Sequence, residues 1–413
     1  DLGIYHLYHN TESGDREFDP YLSFRELFMS GNHAEVIFAT HKSGDWQWGY
    51  DKRCNPKNGG YSMQNATQNI VDAFLTRDGL DINDDENYSE EGFAQKDDPD
   101  EYGKVRNEIN RGYRKGESNM YVDREPRFYA SVHYNGRPVL SAITVDDRNY
   151  FSSDKNKDGF GRAEYYYSGS SGAGTQMTDF TGYNVAKKVS TSSSIRNDQA
   201  VYRPYIHIRY AEILLNYMEA CYEKNGTLDA DARKYWMQLR ERAGVSTDID
   251  ATIAATDLSK EKDFGVYSGT SMVDVTLYNI RRERMNELFS EGQRFADLIR
   301  WRSFDRMITA KWIPEGVNFW DNLYLLYDAD IKADGTSDAV VSGKEQGKYL
   351  RPYSRNLESS NELRDGYNWH EAYYLYPIGI SDIRTASADR DINNSNIYQN
   401  INWPTTAGGH AEK

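Results

Sequence analysis

From Arg203 to Arg302 the chain repeats apolar residues at helical spacing, and this stretch limits what the rest can fold into. Ala211, Leu214, Leu215, Met218, Cys221 and Tyr222 fall at i, i+3, i+4, i+7, i+10 and i+11, one apolar stripe. Asn225-Gly226 ends that helix, and Asp229 starts a second that runs to Ala243-Gly244. A second pair follows, Val273 to Phe289 and then Gly292 to about Phe304, with Phe295, Leu298 and Ile299 on one side. Two such antiparallel hairpins resemble tetratricopeptide units, although their separation is too long for a regular array.

The flanks are less regular. Tyr5 to Asn32 carries a helical pattern with a start at Asp19-Pro20. Glu35–Ala39 reads as a strand, Lys42–Gly60 as an exposed loop, and Gln64–Leu75 as a helix that stops at Asp78-Gly79. Residues 80–120 are polar and acidic without periodicity and read as a flexible insertion. Pro126–Tyr134 alternates aromatic and small residues and ends at Asn135-Gly136, a hairpin turn signal. Residues 146–200 and the final hundred are loop-rich and aromatic. The predicted fold is mainly α, with tetratricopeptide-like helical hairpins, a loop-rich aromatic subdomain and short strands. One domain spans 1–413, with hairpins about 203–306, a loop-rich ligand-binding part about 35–200 and C-terminal loops 307–413.

A net charge of −15 excludes a nucleic-acid partner, because a phosphate backbone needs a basic stripe and no Lys/Arg cluster exceeds two or three residues. It also opposes electrostatic binding to anionic membranes. Aromatics reach 14% beside a hydrophobic fraction of only 38%, so many rings, above all among the 33 Tyr, are expected at the surface. Cys54 and Cys221 form neither a disulfide framework nor a metal motif. No apolar run is long enough for a transmembrane helix. The chain opens at Asp1 without Met and reads as a mature or trimmed product.

The loop Asp45-Trp46-Gln47-Trp48-Gly49-Tyr50-Asp51-Lys52-Arg53-Cys54 is the first candidate for binding. Sugar rings present a flat C–H face that packs on an indole, and their hydroxyls want Asp, Asn and Arg partners. Trp46, Trp48 and Tyr50 supply the faces and Arg53 a polar edge beside Cys54; the alternative is that one Trp plugs the core beneath the loop. Arg124, beside Asp123, either reaches a sugar hydroxyl or makes a structural ion pair. Tyr150 and Tyr165–Tyr167 are aromatic loop positions of the same kind. Trp312, Phe319 and Trp320 form a further platform or simply pack their loop. Asp154, Asn156 and Asp158 with Gly159 match the opening of a calcium loop, since oxygen ligands at positions 1, 3 and 5 suit a hard cation. The closing acid, Glu164, falls one place early and no flanking helices are evident, so an Asx-rich turn is the alternative. Other motifs fail: His370-Glu371 lacks the second His of a zinc protease, and His6 and His9 have no third ligand nearby.

The string Glu283-Arg284…Glu287-Leu288…Glu291-Gly292…Arg294-Phe295…Asp297-Leu298…Arg300-Trp301 resembles the signature helix of the SusD/RagB family, surface lipoproteins of Bacteroidetes. Arg203-Pro204-Tyr205-Ile206…Tyr210-Ala211-Glu212, Arg240–Gly244 and Tyr374–Ile378 agree in order, as do Gln68–Phe74 with Asp78-Gly79 and Arg124–Phe128. The likeness runs from about Glu35 onward. The ending Tyr398-Gln399-Asn400-Ile401-Asn402-Trp403 is less regular than the family's, and its lipid-anchored cysteine and early helical repeats have no counterpart here.

The resemblance implies a non-catalytic protein, lipid-anchored at the outer membrane through a segment absent from this chain. Such a protein binds an oligo- or polysaccharide and delivers it to a SusC-like TonB-dependent transporter for nutrient uptake. No cofactor is expected apart from the possible Ca2+. A peptide ligand, as in a minority of the family, and a glycoside hydrolase are the alternatives. In the signature helix Glu287 and Arg294 are expected to form ion pairs that staple the hairpins.

Overall fold

The computed structural model describes residues 3–41, 45–55, 61–98, 112–137, 180–190, 201–326, 342–352, 365–406, 409 and 411, and of 45–48 the backbone alone. Its contacts divide the chain into two compact units. The first comprises Asp1–Asp263, Asp274–Arg294 and Pro314–Asn356, the second Phe264–Val273, Phe295–Ile313 and Leu357–Lys413.

In the first unit, helix α1 (Pro20–Glu26) starts where Asp19 accepts from the Leu22 amide at 2.9 Å with Pro20 in the first turn. Strand β1 (Val36–Thr40) follows. The expected exposed loop is instead helix α2 (Asp45–Cys54). Helix α3 is only Gln68–Asp72. The segment expected to alternate as a strand turns as helix α4 (Pro126–Ser131) before strand β2 (Val132–Tyr134), because Pro126 and the aromatic run bury all six residues of that helix. β2 pairs antiparallel with β3 (Tyr183–Val185), and β1 with β4 (Tyr205–Arg209). Asp81 and Asp98, in the stretch expected to be flexible, are buried against Arg282 and Arg77.

Helices α5 (Tyr210–Asn225) and α6 (Ala230–Ala243) form the first expected hairpin. Gly226 closes α5 in the left-handed region (φ 67°), and Asp229 caps α6 by accepting from the Ala232 amide at 2.7 Å. Gly244 ends α6 at φ 67°, where a Cβ would stand 2.5 Å from Pro20 Cγ, so no other residue fits there. Helix α7 (Ile249–Ala255) leads towards α8 (Val275–Glu287), in which every residue from Leu277 to Glu287 is buried.

Among the described residues, two apolar clusters hold much of this unit, beside smaller ones around Phe28 and Leu75. Leu214, Leu215, Met218, Trp236, Leu239 and Ile280 join α5, α6 and α8. The other is aromatic: Tyr121 stacks on Tyr134 at 4.0 Å, and Phe128, Tyr183, Phe289 and Phe319 pack around them. A buried ionic network links the helices. Arg127 donates to Glu125 (2.6 Å), Glu283 (2.6 Å) and Glu287 (3.1 Å), while Arg240 and the Trp236 indole share the other oxygen of Glu283. Arg209 reaches Glu35, Glu287 and Glu291, each at 2.7 Å. Arg242 joins Glu35 and Glu287, and Lys187 donates to Glu291 at 2.6 Å. Five carboxylates, Glu35, Glu125, Glu283, Glu287 and Glu291, thus meet five cations, Arg127, Arg209, Arg240, Arg242 and Lys187. Glu287 staples as expected, and Arg294 forms an ion pair with Asp263.

The second unit has a hairpin of β5 (Tyr267–Ser268) and β6 (Ser271–Met272), most of helix α9 (Arg294–Arg300), α10 (Arg306–Thr309) and α11 (Ile380–Thr385). Leu298, Trp301, Phe304 and Met307 form its core, lined by Trp312, Tyr367, Trp369 and Tyr374. Among the described residues no helix is long and apolar enough to cross a membrane.

Candidate functional site

Helix α2 carries the residues that the sequence marks for binding, and long-range contacts hold it. Asp51 is buried and accepts both Nη atoms of Arg203, at 2.5 and 3.1 Å. The Tyr50 hydroxyl donates to the Lys187 carbonyl at 2.8 Å, and the ring packs on the aromatic core. Cys54 is buried in the same core, and burial pushes its thiol pKa up, which keeps it protonated and unreactive. Cys54 therefore packs the core and offers no contact to a ligand. Arg53 is exposed. Trp46 and Trp48 sit in the first turn of the helix, with side chains outside the described residues.

Two further candidates change role. Arg124 is buried, and its guanidinium donates to the carbonyls of Val71 (2.5 Å), Phe74 (2.8 Å) and Met120 (3.2 Å) while stacking 4.7 Å over Phe128. Among the described residues it makes neither the ion pair nor the surface contact that were the two alternatives, because the chain reversals around it leave carbonyls that need donors. Trp320 is also buried, its indole donating to the Ser342 carbonyl at 3.0 Å, and belongs to the core. Tyr150, Tyr165–Tyr167, Asp154, Asn156 and Asp158 lie outside the described residues.

Beside α2 in sequence, the β1–β4 ribbon presents an exposed aromatic pair. Phe38, 52% exposed, stacks on His207 at 5.1 Å, and His207 bonds Thr40 at 3.0 Å. Thr40 and Asp45 are five residues apart, so the start of α2 lies within about 18 Å of this pair's strand end.

A cleft of about 600 Å³ opens between the N-terminal segment, the start of α5 and one face of α6. Tyr5 and Tyr210 stand nearly parallel across it, their rings 6.5 Å apart at 22°. Tyr235 adds a third ring, held edge-on by Tyr217 at 5.3 Å. Asp231, Lys234, Tyr235, Gln238 and Glu241 line the α6 side at spacings of three and four, one helical face. His6, His9 and Glu12 close the opposite side; Glu12 accepts from the His9 amide at 3.0 Å and lies 3.2 Å from His6 Nε2. Burial, then the charge of Arg242, lowers the His9 pKa and favours its neutral ring. Faces of rings beside carboxylates, an amide and a hydroxyl are the groups a polyhydroxylated ligand needs. Sequence reasoning missed this cleft; its one trace was the polar repeat Asp231, Lys234, Gln238 and Glu241 with Tyr235 among them. Among the described residues no group of His, Cys, Asp and Glu could hold a metal ion.

The SusD family's sequence profile matches residues 29–403, and the chain belongs to this family. A SusD-like protein from Bacteroides fragilis has the same fold, with a TM-score of 0.54 and 21% identity over 98% of this chain and 60% of that one. A protein solved as BT4246 gives a TM-score of 0.55 and 16% identity over 97% of this chain and 58% of its own. A SusD-like carbohydrate-binding protein from Bacteroides fragilis shares 19% identity over 90% of this chain and 57% of that one, with a TM-score of 0.48. The chain thus spans no more than 60% of the length of these structures. At such identities the likeness shows the fold alone. No curated protein matches the chain in sequence.

Proposed function

We propose that this chain captures an oligo- or polysaccharide at the cell surface and hands it, without catalysis, to a TonB-dependent transporter. In this reading it is lipid-anchored at the outer membrane. The observation that carries the proposal is membership of the SusD family over residues 29–403. The tyrosine-lined cleft and the Trp46–Arg53 helix are its two binding surfaces, joined in the same unit. The cleft combines rings with polar edge groups, and Trp46, Trp48 and Arg53 are the residue types that a sugar demands. The reading also assigns Asp154, Asn156 and Asp158 to a calcium loop, tested by whether calcium raises the melting temperature and Asp154→Asn abolishes the rise.

Native affinity electrophoresis over a panel of polysaccharides tests the function. Retardation by at least one glycan is expected, without release of reducing ends, and Trp46→Ala with Trp48→Ala should weaken it. Sustained release of reducing ends would make the protein a hydrolase. Retention by peptides but by no glycan would move it to the peptide-binding branch.

A further inference from the structure

We infer that the tyrosine-lined cleft selects an amine-bearing sugar, a hexosamine unit with a free amino group, over its neutral or acidic counterparts. The inference rests on the glycan reading above and adds the charge of the preferred ligand. Size allows it, since about 600 Å³ falls within the range of roughly 300–1,000 Å³ typical of small-ligand sites.

Charge supplies the selectivity. Three carboxylates line the cleft, Glu12, Asp231 and Glu241, against one lysine, Lys234, so these four side chains carry three negative charges and one positive. Glu12 is fixed in place by the His9 amide and His6. Asp231 and Glu241 make no ion pair among the described residues, and they stand on one helical face, before and after Tyr235 along α6. On a convex surface such acids would merely be solvated. Here they flank rings whose negative faces themselves attract a cation. Tyr5, Tyr210 and Tyr235 therefore act in the same sense as the acids: rings take the C–H face of the sugar and an ammonium together. A uronic acid would bring a fourth negative charge into the same space.

The test uses the whole chain at neutral pH and low salt. A glucosamine oligosaccharide and its N-acetylated counterpart share one backbone and differ in charge, and calorimetry compares them. The free-amine form is expected to bind roughly ten-fold tighter, the sum of a few exposed charge and ring contacts. Added salt should erase most of that preference. The double variant Asp231→Asn, Glu241→Gln changes two exposed side chains and should bring the two ligands to equal affinity, with the melting temperature unchanged. Equal binding of both forms by the parent chain overturns the inference while leaving the glycan reading intact. A preference that survives in the double variant also overturns it, since the charge then acts elsewhere. Tight binding of oligolysine with no binding of either sugar overturns it and reassigns the cleft to cationic peptides.

Discussion

Arg209, at the end of β4, donates to Glu287, at the end of α8, across 2.7 Å of buried space. Arg127 and Arg242 reach the same carboxylate. Glu287→Gln leaves three guanidinium groups short of a counter-charge. Breaking a buried pair typically costs about 3–5 kcal/mol. A loss of that size is expected in urea denaturation, with the slope of the transition unchanged.

The same network sets an acid limit. Burial alone would raise the Glu291 pKa, but Arg209 and then Lys187 outweigh it and pull it from 4.5 down to about 2. Glu283 and Glu287 are held low in the same way. A folded pKa below the unfolded one gives stability that is complete above the unfolded pKa of 4.5 and lost as pH falls from there towards 2. Glu291 alone corresponds to about 3 kcal/mol at neutral pH. Chemical denaturation from about pH 6 down to about pH 3 should show this loss, and Glu291→Gln should flatten it.

Asp72 behaves in the opposite sense. Burial raises its pKa from 3.8 to about 7, against the opposing hydrogen bond from Gln68 at 2.5 Å. With the folded pKa raised, its contribution is present below 3.8 and is lost as pH rises through 7. Solvent still reaches the half-buried side chain, which reduces the effect. Asp72→Asn should gain about 1–2 kcal/mol relative to the parent between about pH 4 and pH 8. Thermal melts at the two pH values measure it.

Arg124 serves the fold and not the ligand. Arg124→Met keeps the bulk of the stem but leaves the carbonyls of Val71, Phe74 and Met120 without their donor. A loss of about 2–4 kcal/mol is expected, since each buried polar group left unpaired costs about 1–3 kcal/mol and the site relaxes in part. Glycan affinity at a temperature where the variant is folded should match the parent's. A specific loss of affinity would return Arg124 to the binding surface.

Legibility followed the range of the forces involved. The α5–α6 hairpin is written locally, in the stripe from Ala211 to Tyr222 and in Gly226, Asp229 and Gly244, so sequence reading placed it closely. Helix α2 was misread as a loop because Gly49 and its polar residues give no apolar period. What anchors it is the Asp51–Arg203 pair, between residues 152 apart. The carbonyls that claim Arg124 likewise lie up to 53 residues away. The cleft joins Tyr5 to Tyr235 across most of the first unit, and no local pattern records that meeting.

The ionic network also governs how such a chain can change. Its members are scattered from Glu35 to Glu291, and apart from Glu125 with Arg127 every carboxylate in it is paired with cations from distant segments. Folding of this unit should therefore be all-or-none, since any segment that departs strands charges of its neighbours in a dry interior. Between these fixed points the backbone is unconstrained by the network. The chain can lengthen or rewrite its loops between the pins, but it cannot lose a pin.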